Sequence, residues 1–236
     1  MTTVFITGTN KGIGLELVKQ YLADGHEVIA TCRDRNRADV LHALAHDHPD
    51  RLRICEMDLT DVDSLQALAA ELANQPIDIF INNAGAAIGY STDSDRNVFG
   101  ALEAEIWLSM FRSNSIGPVL LAQYLYPNIL LGEDKKIVFV TSKPASIADN
   151  TGGAMYMNRT SRTALNQAIK SMSIDLKDDG ITVASISPGW VKTDSGGEGA
   201  LITAQTSASG MRQVISGLGP EQTALFADYK GELIPW

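Results

Sequence analysis

Short apolar runs rich in β-branched residues alternate along this chain with stretches of helical period. Residues 4–6 predict a first strand, and Ile13, Leu17, Val18 and Leu22 then repeat with helical spacing as far as Ala23. Further strands are predicted at residues 28–31, 52–55, 77–81, 137–141, 181–186 and 225–227. Helical spacing recurs around Val40–Leu44 and over residues 64–72, 102–131, 155–177 and 207–218. Strand–helix alternation of this kind implies an α/β fold: a doubly wound parallel sheet of about seven strands, right-handed crossovers, and helices on both faces. No internal repeat or linker interrupts the pattern, so residues 1–236 read as a single domain. In such sheets a ligand sits beyond the carboxyl ends of the strands, where strand order reverses.

Composition narrows the classes. The chain has 236 residues, 44% hydrophobic and 20% charged, which suits a globular domain with a substantial core. A formal net charge of -9 argues against wholesale nucleic-acid binding, though local basic residues could hold one small anion. Two cysteines, Cys32 and Cys55, form no disulfide framework and point to a reducing compartment. A strand starting at Val4 leaves no room for a signal or transit peptide, so a cytoplasmic protein is expected. The most apolar stretch, residues 116–131, contains Pro118, Gln123, Pro127 and Asn128 and reads as a buried helix, not a membrane span. The four histidines, His26, His42, His46 and His48, lack an accompanying acidic or Cys ligand set, and no metal site is expected.

The first strand runs into Thr7-Gly8-Thr9-Asn10-Lys11-Gly12-Ile13-Gly14. Glycines let a backbone approach a pyrophosphate, and the following helix offers its first N–H groups to the anion. Arg33 falls just past the second strand, where an adenosine ribose lies in this architecture. A guanidinium there suits a 2′-phosphate, with Lys11 as a second cation, so NADP(H) is expected ahead of NAD(H). Asp34 could salt-bridge Arg33 or serve NAD instead.

Thr7-Gly8-x3-Gly12-x-Gly14 resembles the Gly-rich turn of the short-chain dehydrogenase/reductase family. Met57-Asp58-Leu59-Thr60 resembles that family's adenine turn, and Asn82-Asn83-Ala84-Gly85 its signature after the fourth strand. Asn114 is placed like its helix Asn, and Pro188-Gly189-Trp190-Val191-Lys192-Thr193-Asp194 like its nicotinamide loop. The resemblance spans the chain. With Thr31-Cys32-Arg33-Asp34 and the terminal Gly231-Glu232-Leu233-Ile234-Pro235-Trp236, it points to the branch of C-factor proteins and related carbonyl reductases. It implies a Rossmann-type sheet and an NADP(H)-dependent oxidoreductase acting on a small-molecule carbonyl or other activated double bond. Gly8, Asn10, Lys11, Gly12, Ile13 and Gly14 would border the pyrophosphate, and Arg33 the 2′-phosphate. Asp58 and Leu59 would border the adenine, and Asn82, Ala84 and Gly85 the ribose. Pro188, Gly189, Val191 and Thr193 would meet the nicotinamide. It also implies a homodimer through the helices of residues 102–131 and 155–177.

The catalytic set of this family is a Ser, a Tyr, a Lys and the helix Asn, here Ser142 and Asn114 with a difficulty at the other two. One register takes Tyr156 as the Tyr and puts Thr160 where the Lys belongs. The other follows Arg159, Ser161, Ala164, Leu165 and Asn166, and puts Asn158 and Arg162 at the Tyr and Lys positions. The second register matches more residues. Two residues along a helix rotate a side chain by about 200°, so Tyr156 and Asn158 face nearly opposite sides unless the helix starts late. An amide has no proton to give near neutral pH, and an Arg does not exchange protons as a Lys does. Two classes therefore stand: an oxidoreductase with an atypical proton donor, or a catalytically impaired NADP-binding protein with a regulatory or interaction role. The substrate pocket is expected between residues 86–100, with Tyr90 and Phe99, and the Gly-rich segment 194–199, read as a mobile lid or a plain surface loop. Trp190 is a candidate pocket wall or core residue.

Overall fold

Seven parallel strands form one sheet in the order β3-β2-β1-β4-β5-β6-β7 in a computed structural model that describes residues 1–87 and 94–236. The strands are β1 (Thr3–Ile6), β2 (Glu27–Cys32), β3 (Leu52–Glu56), β4 (Ile79–Asn82), β5 (Lys136–Val140), β6 (Thr182–Ser187) and β7 (Leu225–Asp228). The helices are α1 (Gly12–Ala23), α2 (Asp39–Asp47), α3 (Val62–Glu71), α4 (Ala104–Phe111), α5 (Gly117–Leu130), α6 (Tyr156–Asp175) and α7 (Ala204–Ser216). Strand order reverses between β1 and β4, which pair through Val4–Ile79, Phe5–Phe80 and Ile6–Ile81. The Gly-rich turn after β1 and the turn after β4 therefore meet at the switch point.

The strands read as near-continuous apolar runs because helices cover both faces. Alternate residues point to opposite sides. Val4, Ile6, Val28, Ala30, Ile79, Ile81, Val138 and Val140 pack with Leu17, Leu41, Met211 and Ile215 beneath α1, α2 and α7. Phe5, Ile29, Phe80, Ile137 and Phe139 pack with Leu65, Leu121, Leu125, Leu165 and Ile169 beneath α3, α5 and α6. On that second face Phe80 links Phe5 and Phe139, with ring centroids 5.5 and 6.0 Å away.

The helical region expected over residues 102–131 runs without a break from Ala104 to Leu130, but it is not α-helical throughout. Residues Arg112–Ile116 form a π-helical turn between α4 and α5. The widened turn brings two sequence neighbours onto one residue of α6: Asn114 Nδ2 donates to Ser161 Oγ at 3.0 Å, and Ser115 Oγ donates to the Ser161 carbonyl at 2.5 Å. Gly117 closes the turn against the loop after β3, where a Cβ would stand 2.1 Å from the Leu59 carbonyl oxygen. The apolar run at Val119–Leu125 is used mainly by the core, since Leu121 and Leu125 are fully buried. The final helix begins at Ala204, earlier than its apolar spacing suggests, because Thr203 caps it by accepting from the Thr206 N–H. No helix among the described residues is long and apolar enough to cross a membrane.

Candidate active site

A polar clamp holds the Gly-rich turn to the turn after β4. Asn83 Nδ2 donates to the carbonyls of Thr7 and Gly8 at 3.0 and 3.1 Å. The Ala84 N–H donates to Thr7 Oγ1, which donates to Asn82 Oδ1. Asn82 Nδ2 closes the set on the Ala84 carbonyl. Gly8 takes φ +69, and Gly14 sits so close beneath it that a Cβ would stand 2.2 Å from the Gly8 carbonyl oxygen. The sequence pattern flagged Asn82, Ala84 and the glycines. It assigned no part to the Thr7 hydroxyl, whose role needs the two turns to be adjacent in space.

The helix behind this turn starts uncapped. Lys11 occupies the N-cap of α1 without a side-chain cap, which leaves the first N–H groups available to an anion. The Lys11 ammonium instead ion-pairs with the Asp194 carboxylate in the loop after β6. That bond, with the Lys11 charge, holds the Asp194 carboxyl below the ordinary carboxylate range. Thr193, beside it, lies over Gly12, whose Cβ would be 3.4 Å from Thr193 Cγ2. The two segments expected at opposite ends of a dinucleotide are thus latched together.

Arg33 is exposed beyond β2, and Arg35 and Arg37 are exposed beside it. Asp34 does not neutralise Arg33 by a salt bridge: its Oδ1 accepts from the Asn36 N–H and caps the short turn at Arg35–Arg37. Asp58 Oδ1 accepts from the N–H and hydroxyl of Thr60, and Leu59 is buried. The Pro188 carbonyl accepts from Ser207 Oγ, Val191 bridges Ile202, and Gly189 has φ +80 with Tyr229 against it. The segment read as a lid or a plain surface loop forms a closed turn: the N–H groups of Gly196 and Gly197 both donate to the Thr193 carbonyl, and Trp190 Nε1 donates to the Gly196 carbonyl. Trp190 therefore packs on this loop and is half exposed. Tyr90, expected at the pocket, lies outside the described residues.

Ser142 follows β5, half-buried, at the start of a short turn over Lys143–Ala145. α6 braces that turn: Arg159 Nη1 donates to the Pro144 carbonyl and Thr163 Oγ1 to the Ala145 carbonyl. Arg162, one turn from Asn158, donates through Nη1 to the Val140 carbonyl at 3.3 Å. Its Nη2 lies 3.4 Å from where a Gly85 Cβ would stand, with Asn114 Oδ1 3.0 Å from the same point. Asn114 Oδ1 also accepts from the Ala86 N–H at 2.8 Å. Gly85, Asn114 and Arg162 thus converge near the ends of β4 and β5, and Ser142 begins the turn that follows β5.

Tyr156 and Asn158 part company at the start of α6. Tyr156 is the first helical residue, so the helix does not start late, and its ring lies 6.2 Å from Phe99. Thr160, one turn on, accepts from Trp107 Nε1 on α4. Asn158 is 3% exposed and accepts from Asn97 Nδ2 at 2.9 Å. Gly153, Ala154 and Met155, just before the helix, all have positive φ, between 50 and 64°. A left-handed residue with a side chain costs about 1–2 kcal/mol. Arg159 Nε offsets part of this by donating to the carbonyls of Gly153 and Ala154. Asn97 and the bracing role of Arg159 were not legible from the sequence.

Cys32 and Cys55 are buried free thiols, and burial, with the Glu71 carboxylate beside it, pushes the Cys55 thiol up to about 11. Among the described residues no group of three His, Cys, Asp or Glu could hold a metal ion.

A family model described as short chain dehydrogenase matches residues 2–200. The C-signal of Myxococcus xanthus is 36% identical over 172 residues, covering 73% of this chain and 100% of that protein. The solved structure of the carbonyl reductase Sniffer of D. melanogaster matches with a TM-score of 0.91 at 33% identity, covering 100% of both chains. The NADPH-bound carbonyl reductase from chicken fatty liver matches with a TM-score of 0.91 at 31% identity, covering 100% of this chain and 99% of that one.

Proposed function

We propose, from the premise that this chain belongs to the short-chain dehydrogenase family, that it is an NADP(H)-dependent oxidoreductase whose proton donor is atypical. The uncapped start of α1, the positive φ of Gly8 and the exposed Arg33 fit a dinucleotide carrying a 2′-phosphate. On this reading Gly8, Asn10, Lys11, Gly12, Ile13 and Gly14 hold the pyrophosphate, and Arg33 takes the 2′-phosphate. Asp58 and Leu59 border the adenine. Asn82, Ala84 and Gly85 border the adenosine ribose, and Arg162 the nicotinamide ribose. Pro188, Gly189, Val191 and Thr193 flank the nicotinamide, which supplies hydride when the cofactor is bound.

The observation that carries the catalytic reading is the inward pairing of Arg162 with Val140 and Gly85, while Tyr156 and Thr160 turn toward Phe99 and Trp107. It favours the register with Asn158 and Arg162 in the Tyr and Lys positions. Asn158 donates a hydrogen bond to a substrate oxygen but no proton. Loss of a general acid typically costs about 10²–10⁴-fold in rate, while correct positioning alone is worth on the order of 7–11 kcal/mol. The reading therefore selects substrates that take their proton from water: conjugated enones and activated imines. In an enone the oxygen needs only hydrogen bonds, from Ser142 and Asn158, and the proton goes to carbon.

The second reading, a nucleotide-binding protein without turnover, is favoured by the lack of an acidic proton on Asn158. The experiment is NADPH consumption over ketones, quinones, enones and imines, with Asn158→Tyr/Arg162→Lys alongside. Turnover of enones or imines by the native chain is expected. Binding of NADPH with turnover only in the double variant favours the second reading. The proposal extends to a cytoplasmic homodimer, supported by the free cysteines and by exposed Leu108 and Ile116 on the α4–α5 side. Light scattering should then give about twice the 25.4 kDa of one chain, and a particle of single-chain mass rejects the dimer.

A further inference from the structure

Asn97 and Asn158 form a buried amide pair whose orientation the backbone dictates. The Met157 N–H can only donate, and it donates to Asn97 Oδ1 at 2.8 Å. Asn97 must then turn Nδ2 toward Asn158, which accepts with Oδ1 at 2.9 Å. The atom left over on Asn158 is Nδ2, and among the described residues no acceptor meets it. A half-turn of either amide would face two acceptors or two donors across the pair, and both residues are only 3% exposed, so water cannot readily repair the mismatch. The usual ambiguity of an amide is removed by one peptide N–H.

We propose that Asn97 is a positioning residue that locks Asn158 as a hydrogen-bond donor. The site then selects ligands that present an oxygen acceptor at this point (a ketone, enone or enolate) and disfavours those that present a hydroxyl or N–H. The proposal rests on reading Asn158 as the group that faces the substrate. It deepens that reading by naming the polarity the substrate must show.

Asn97→Asp tests it by exchanging one NH₂ for oxygen. At a pH where the ¹³C shift of the introduced carboxyl shows it ionised, since burial favours the neutral acid, the carboxylate still accepts from the Met157 N–H, so the start of α6 keeps its partner. Its other oxygen can only accept, which obliges Asn158 to turn Nδ2 inward and leave Oδ1 over. Two readouts are taken on the full chain: the side-chain ¹⁵N–¹H resonances of Asn158, assigned by their loss in Asn158→Asp, and the kinetics of cyclohex-2-enone with NADPH. The Asn158 resonances are expected to move downfield in Asn97→Asp, and kcat/KM for the enone to fall at least about tenfold. Unmoved resonances would overturn the lock, whatever the kinetics. Moved resonances with undiminished enone turnover overturn the selection of an acceptor. Moved resonances with no enone turnover in the native chain leave the lock standing and remove the substrate-facing reading of Asn158. The native chain gives a further check without substitution: the Asn97 amide protons exchange with solvent more slowly than those of Asn158, and the reverse order also overturns the proposal.

Discussion

Lys11 and Asp194, 183 positions apart in sequence, form an ion pair that ties the Gly-rich turn after β1 to the loop after β6. On the proposed reading, a phosphate arriving at the start of α1 would compete with Asp194 for this ammonium. Asp194→Asn is therefore expected to tighten NADPH binding by roughly two- to fivefold at low salt, the scale of one exposed ion pair. The gain shrinks toward zero at 1 M salt, where the Debye length is about 3 Å. The Asp194 carboxyl is held low by Lys11, so the latch is formed above the ordinary carboxylate range and is lost only as pH falls through the depressed value. The difference between native and variant should accordingly be flat from about pH 5 to 8. Fluorescence titration of NADPH checks both; unchanged affinity at low salt rejects the competition.

Arg33 stands exposed past β2, and Asp34 is occupied with capping the next turn. Arg33→Ala should weaken NADPH by about tenfold or more, the loss of a charge-assisted phosphate contact, and leave NADH nearly unchanged. Equal losses for both cofactors would move the 2′-phosphate site elsewhere, to Arg35 or Arg37.

Gly14→Ala places a methyl 2.2 Å from the Gly8 carbonyl oxygen and 2.6 Å from Asn83 Nδ2. Backbone has to shift, at about 1–3 kcal/mol, which for a chain of this size lowers Tm by several degrees. The shifted turn also loses the stabilisation that added NADPH gives the native chain. Gly152→Ala is the control, since nothing lies within 4 Å of its added methyl. Thermal melts with and without NADPH measure both.

Introducing a tyrosine in place of Asn158 is not a free change. Asn158 is buried and 2.9 Å from Asn97, so Asn158→Tyr overpacks the start of α6 and strips Asn97 of its acceptor. A loss of about 1–3 kcal/mol is expected, with partial recovery when Asn97→Ala is added. Chemical denaturation of Asn158→Tyr, Asn97→Ala and the combined variant decides it. The same curves separate a variant that is inactive because it unfolds from one that is folded and lacks the chemistry.

Much of this molecule follows from its sequence. β-branched runs fell at the seven strands because helices cover both faces of the sheet and each strand is apolar on both sides. The Gly-rich turn and the Asn82–Gly85 turn were legible as motifs because the residues of each are contiguous at a strand end, whereas the clamp between them, from Thr7 and Gly8 to Asn82, Asn83 and Ala84, was not. The π-helical turn at Arg112–Ile116 was not: the apolar spacing continues helically on both sides, and the widening is fixed by Asn114 and Ser115 both reaching Ser161. The Lys11–Asp194 latch and the Asn97–Asn158 pair were hidden for a related reason. Each joins segments that follow different strands, and only the crossovers that stack those strands bring the side chains within hydrogen-bond reach. The sequence by itself determined which residues end the strands, and that neither register of α6 holds both a Tyr and a Lys. The tertiary structure decided that Tyr156 turns toward Phe99 while Arg162 turns toward β5, and which atom of Asn158 is left over, because those directions depend on where α6 begins and on what packs against it.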